Sequence, residues 1–196
     1  MSKIILDLCG GTGSWSKPYK ENGYDVRVIT LPKHDVRTFE PPKNVYGILA
    51  APPCDQFSFA KTTGNPRDLK NAWSIVRGCL DIIAKCNNIR RLSPYAKTTN
   101  LKFWALENPN GLLKRFIGKP VYIFNPYDFG DDYKKETYLW GWFNDPKKNP
   151  IECNKPKFDR MKSKDIHPEY FGTYTRQERR AITPQGFAKA FYEANQ

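Results

Sequence analysis

Apolar residues in the first half of the chain fall into short blocks whose spacing changes repeatedly. The short run "KIILDLC" (3–9) is apolar apart from its opening Lys and one Asp and stops at a glycine cluster, which predicts a buried strand ending in a tight turn. Residues 14–22, opened by Ser14 and closed by Asn22-Gly23, predict a short helix. "YDVRVIT" (24–30) alternates and "NVYGILA" (44–50) is apolar, so both predict strands. From 67 to 87, apolar side chains recur at 69, 72, 73, 76, 79, 80, 83 and 84, the spacing of one helical face. "KFWALEN" (102–108) and "ETYLWGWF" (136–143) again predict strands, with a short helix in "GLLKRFIG". Residues 144–180 are rich in Lys, Pro, Asn and Asp and show little periodicity, which predicts a mostly irregular basic excursion. "TPQGFAKAFYEANQ" predicts a closing helix with Pro184 in its first turn.

Strands that alternate with helices predict an α/β fold: a doubly wound, mostly parallel sheet with helices on both faces. In such sheets ligands bind beyond the carboxyl ends of the strands. Three unusual stretches fall there: "CGGTG" after the first strand, "PPC" after the third and "ENP" after the next.

Length and composition narrow the class. A chain of 196 residues fits one domain, spanning 1–196. No apolar stretch approaches the roughly 18 residues of a membrane span, and the first residues lack the pattern of a signal peptide, so a cytoplasmic protein is expected. The five cysteines (9, 54, 79, 86, 153) show no CxxC pair and no His/Cys ligand spacing, which points to neither a disulfide framework nor a metal site. Lys and Arg exceed Asp and Glu by 32 to 20, giving a net charge of +12, and 14% of residues are aromatic. That excess favours a polyanionic partner, and rings can stack on bases.

The candidate chemistry lies in the same three stretches. "DLCGGTGSWS" (7–16) is a glycine turn with GGxG spacing, not the dinucleotide fingerprint GxGxxG. Such a turn lets a ligand approach the backbone closely. In "PPCDQFS" (52–58) the prolines stiffen a loop that holds Cys54, and a strand end beside a helix start can supply the electropositive setting a thiolate needs. A packed, inert cysteine is the alternative. "ENP" puts Glu107 at a strand end, where desolvation can raise a carboxyl pKa and make it an acid. An ordinary exposed glutamate is the alternative.

Taken together and in order, these motifs resemble the cytosine-C5 DNA methyltransferases that use S-adenosylmethionine. The family's first motif resembles DLFAGxGGxS, its nucleophile motif PPCQxFS and its acid motif ENV or ENP. "GDDYKKETYLWG" (130–141) loosely matches its GxPQxRxR segment, and "ITPQGFAKAFYEAN" (182–195) its last motif. The resemblance implies a Rossmann-like methyltransferase domain in which Cys54 attacks cytosine C6 and Glu107 serves ring N3. Lys135 takes part of the role of the first arginine. It implies a cofactor site at Asp7, Leu8, Cys9, Gly10, Gly11, Thr12, Gly13 and Trp15. Thr30 stands where the family has an acidic ribose contact, Asp35 and Val36 lie in the adenine-side segment, and Pro53 and Ser58 shape the nucleophile loop. The segment 144–180, with Lys147, Lys148, Lys155, Lys157, Arg160, Lys162 and Lys164, replaces a target-recognition domain and is too short to be one. Short versions of this kind resemble ones on phage genomes, acting in a bacterial or phage-infected host cell.

The expected cofactor is S-adenosyl-L-methionine. The expected partner is DNA, single- or double-stranded, or RNA, with a partner chain as a further source of target recognition. Three alternatives stay open: methylation of cytosine in RNA or a nucleotide, an inactive nucleic-acid-binding module, and use of a modified S-adenosylmethionine, for which Thr30 is the only hint.

Overall fold

The computed structural model describes residues 2–62, 64–87, 100–153 and 171–196. Six strands form one sheet: β1 (Ile4–Leu8), β2 (Asp25–Ile29), β3 (Val45–Ala50), β4 (Phe103–Pro109), β5 (Tyr122–Phe124) and β6 (Thr137–Trp142). Their order is β2-β1-β3-β4-β6-β5. Pairings β1–β2, β1–β3 and β3–β4 are parallel, whereas β6 runs antiparallel to both β4 and β5. The chain therefore leaves β1 in one direction for β2 and returns to its other side for β3. That reversal opens a crevice beyond the carboxyl ends of β1 and β3.

Helices cover both faces, as an α/β doubly wound fold requires. On one face lies α2 (Leu69–Asn87), whose Ala72, Val76, Cys79, Ile82 and Ile83 are buried against Leu6, Leu8, Ile48 and Ala50. Gly78 sits within this helix because a Cβ there would come within 3.0 Å of the Val36 carbonyl oxygen. On the other face, α1 (Lys17–Glu21) and α5 (Gln185–Ala194) pack over Ile5, Leu49, Phe103 and Leu139. Phe187 and Phe191, one helical turn apart, are fully buried there. Burying each ring contributes about 1.5–3 kcal/mol. Two shorter helices complete the described chain, α3 (Lys114–Ile117) and α4 (Arg176–Ala181).

Two local expectations need correction. The first helix starts after Ser16, not Ser14, because the glycine turn continues through residue 16. Ser14 instead accepts the Thr183 N–H at 2.8 Å. Pro184 precedes the last helix as its N-cap, with an extended ψ of 131°, and so lies outside the first turn. Near the end of the mostly irregular segment 144–180, Thr175 and Glu178 form a reciprocal capping box that starts α4. Of its basic residues, Lys155, Lys157, Arg160, Lys162 and Lys164 lie outside the described residues. The three-residue β5 and the 3-10 turn Pro126–Phe129 escaped the pattern, being too short to show a period.

Candidate active site

The glycine turn is built on Asp7. Its carboxylate is fully buried at the end of β1 and accepts the Ser16 hydroxyl at 2.5 Å. Burial raises its pKa to about 6, against the lowering effect of the Ser16 hydrogen bonds. A Cβ on Gly10 would overlap this carboxyl group. Gly11 and Gly13 have φ of 53° and 70°, a left-handed backbone that glycine adopts freely. Cys9 adopts it too, at φ 57°, and its Sγ lies 3.9 Å from that of Cys79. Among the described residues the N–H groups of Gly11 and Thr12 meet no acceptor, and both residues are exposed. They fit the carboxylate of an amino-acid ligand. Leu8 and Trp15 are enclosed in the two cores, Trp15 against Phe187 and Phe191, so their side chains face protein.

Thr30 directly follows β2, and Asp35 lies five residues further on. The Thr30 carbonyl accepts the His34 N–H at 2.9 Å. Both Asp35 carboxylate oxygens are held by Arg37, which lowers the Asp35 pKa through that hydrogen bond. Val36 is buried and touches a hollow of about 320 Å³ between α2 and residues 36–40. That hollow shares only Val36 with the candidate residues and is spanned by the Glu40–Lys85 ion pair at 2.6 Å.

The loop after β3 carries Cys54 and is held from several sides. The expected helix start beside it is absent: a turn follows, in which Phe57 and Ser58 both donate to the Cys54 carbonyl, at 3.0 and 2.8 Å. Pro53 is exposed and Pro52 buried. Ser58 bridges to Gly111, where a Cβ would overlap the Phe57 carbonyl. Arg67 donates to three carbonyls of the loop, Gln56 at 2.5 Å, Ser58 at 2.9 Å and Lys61 at 2.9 Å. From β4, the fully buried Asn108 donates to the Pro52 carbonyl at 3.1 Å. Asn110 in turn donates to the Glu136 carbonyl at 3.1 Å, tying in the segment that holds Lys135.

This stitching brings three sequence-predicted residues into one electrostatic neighbourhood. Burial raises the Cys54 thiol pKa. Lys135 and, more weakly, Arg180 oppose that, while Glu107 and Asp55 reinforce it. Glu107 is itself half-buried, and desolvation lifts its pKa against the pull of Lys135. A partly desolvated thiol, a carboxyl whose pKa burial raises and a cation thus share one electrostatic neighbourhood. Cation positioning of this kind favours a thiolate when the site is engaged. Asn108, Arg67 and Arg180 were missed as site residues. Asn108 is the residue after Glu107 in the "ENP" motif, so its position was on view. Arg180 sat in a segment without periodicity.

No protein-family profile matches the chain. No curated protein sequence matches it either. Among solved structures, a DNMT2 variant from Spodoptera frugiperda is 16% identical, with a TM-score of 0.40, over 81% of this chain and 54% of its own. The Dnmt2 methyltransferase of S. pombe is 13% identical, with a TM-score of 0.41, over 82% of this chain and 58% of its own. This chain spans little more than half the length of either. Likeness at this level bears on neither activity nor site. No helix among the described residues is long and apolar enough to cross a membrane.

Proposed function

We propose that the chain is a DNA cytosine-C5 methyltransferase that uses S-adenosylmethionine. The observation that carries this reading is the shared rim of Cys54, Glu107 and Lys135, reached from three separate strand ends. The order of the motifs and the net charge of +12 support it. Cytosine C5 is a weak nucleophile, and a covalent adduct divides one hard step into easier ones. Cys54 gives its proton to water and its Sγ bonds to C6, the C5–C6 π pair moving into the ring. As electrons move onto the ring, the proton held by Glu107 serves N3. Lys135 and Arg180 favour the thiolate. S-adenosylmethionine, when bound, supplies an electrophilic methyl group, and the N–H groups of Gly11 and Thr12 would hold its carboxylate. With the methyl on C5, the cofactor would be left as the neutral thioether S-adenosylhomocysteine; water takes the C5 proton, the C6–Sγ bond breaks, N3 returns its proton to Glu107, and Cys54 is freed.

The test is incubation with S-adenosylmethionine and separate pools of duplex DNA, single-stranded DNA, tRNA and dCMP. Digested nucleosides are then assayed by mass spectrometry. Formation of 5-methylcytosine in DNA that vanishes in Cys54→Ala is the expected result. Product confined to tRNA or dCMP would move the substrate to RNA or a nucleotide. No product in any pool, with cofactor binding retained, would leave an enzyme that needs a partner chain or an inactive nucleic-acid-binding module.

A further inference from the structure

Phe59 occupies an unusual position. It lies on the Cys54 loop, five residues after the cysteine, and is 46% exposed. The loop around it is not slack. Phe57, two residues earlier, is fully buried, Ser58 bridges to Gly111, and the Phe59 N–H donates to the Asn110 carbonyl at 3.4 Å. A fixed backbone therefore holds the ring outward.

A cation stands over it. Lys114 Nζ lies 5.8 Å from the Phe59 ring centroid and 5.6 Å from that of Tyr138. Two residues further along α3, Phe116 is 44% exposed while stacking on Trp73 with centroids 5.2 Å apart. Arg115 between them is exposed. The Glu136 carboxylate, at the foot of β6, is engaged by the Tyr138 hydroxyl at 3.0 Å.

Flat rings beside cations match one chemistry: a base face with its phosphate. An acidic peptide would use the cations and leave the rings idle. A duplex hides its base faces, so it too would leave them idle. The geometry points to Phe59 with Lys114, and Phe116 beyond them, as a stacking platform for bases next to the target in a single-stranded polynucleotide. This rests on the cytosine-methylation reading and narrows its substrate.

The test is fluorescence anisotropy with a short fluorescein-labelled cytosine-containing oligonucleotide, as single-stranded DNA, single-stranded RNA and duplex DNA, without cofactor. Phe59→Ala is expected to weaken single-strand binding about 5- to 100-fold while leaving duplex binding unchanged. Phe59→Trp keeps a ring and is expected to retain the affinity, which separates stacking from misfolding. Lys114→Ala should reduce the salt slope by about 0.7. The tighter of the DNA and RNA arms identifies the source of the strand. Wild-type affinity in both Phe59→Ala and Phe116→Ala overturns the platform, as does equal loss on single strand and duplex. Binding is read without methyl transfer, so the outcomes separate. Methylcytosine formation with unaffected binding rejects the platform alone. Ring-dependent binding without methylcytosine rejects the methyltransferase reading alone.

Discussion

Asn108 donates from Nδ2 to the carbonyl of Pro52 across 3.1 Å and so fastens the end of β4 to the loop that carries Cys54. The side chain is fully buried, so neither partner has water to fall back on. Asn108→Ala strands the carbonyl and should lower the unfolding free energy by about 1–3 kcal/mol, measured by urea denaturation. Because the loop is what shifts, methylcytosine formation should fall further than stability does.

Asp7 gives the protein an acid-side stability slope. Its folded pKa of about 6 lies above the model-compound value of 3.8, so the folded state binds the proton more tightly. Stability therefore falls as pH rises from about 4 to about 6 and levels off above, by on the order of 3 kcal/mol. Asp7→Asn keeps an acceptor for Ser16 and should flatten that slope. Urea midpoints across this range check it. An unchanged slope in Asp7→Asn would show that another group titrates.

Lys135 pulls the Cys54 thiol pKa down against burial. Lys135→Met should move the pH midpoint of Cys54 alkylation upward, whereas Glu107→Gln should move it downward by removing an opposing charge. Iodoacetamide labelling followed by peptide mass spectrometry reads both shifts in the absence of substrate. Coincident profiles for wild type and both variants would dissolve the electrostatic group.

Arg67 clamps three carbonyls with one planar group. Arg67→Lys keeps the charge but not the fork, so it should fail to restore what Arg67→Ala loses. Limited proteolysis of the 56–61 loop and the rate of methylcytosine formation should change together in both variants. Rescue by lysine would mean that charge alone matters.

Much of this was legible in the chain because local pattern and tertiary placement agree there. β1, β3, α2 and β4 each carry an unbroken apolar face, and each is buried as its spacing predicts. Cys54 and Glu107 stood out as candidates because one lies in the loop after such a strand and the other near the end of one. What stayed hidden depends on partners distant in sequence. Ser14 looks like a helix cap, yet its hydroxyl serves Thr183, 169 residues away. Asp7 looks like a ligand contact, yet it supports the turn from below through Ser16. Arg67 carries no motif, and only the folded loop shows what it holds. The capping box at Thr175 and Glu178 was visible at three-residue spacing but lay within a charged stretch that lacks an apolar face.

The reversed direction of β6 has a practical consequence. Because that strand runs against β4, its beginning opens on the same rim as the ends of β1, β3 and β4. Among the described residues, the opposite rim, where Gly23 and Asn44 turn into β2 and β3, is then left without any of the candidate chemistry. A fluorophore or a tether to a solid support belongs there. It would hold the molecule with its reactive side facing the solution, and a signal from it would report on the whole body without touching the loops that carry the chemistry.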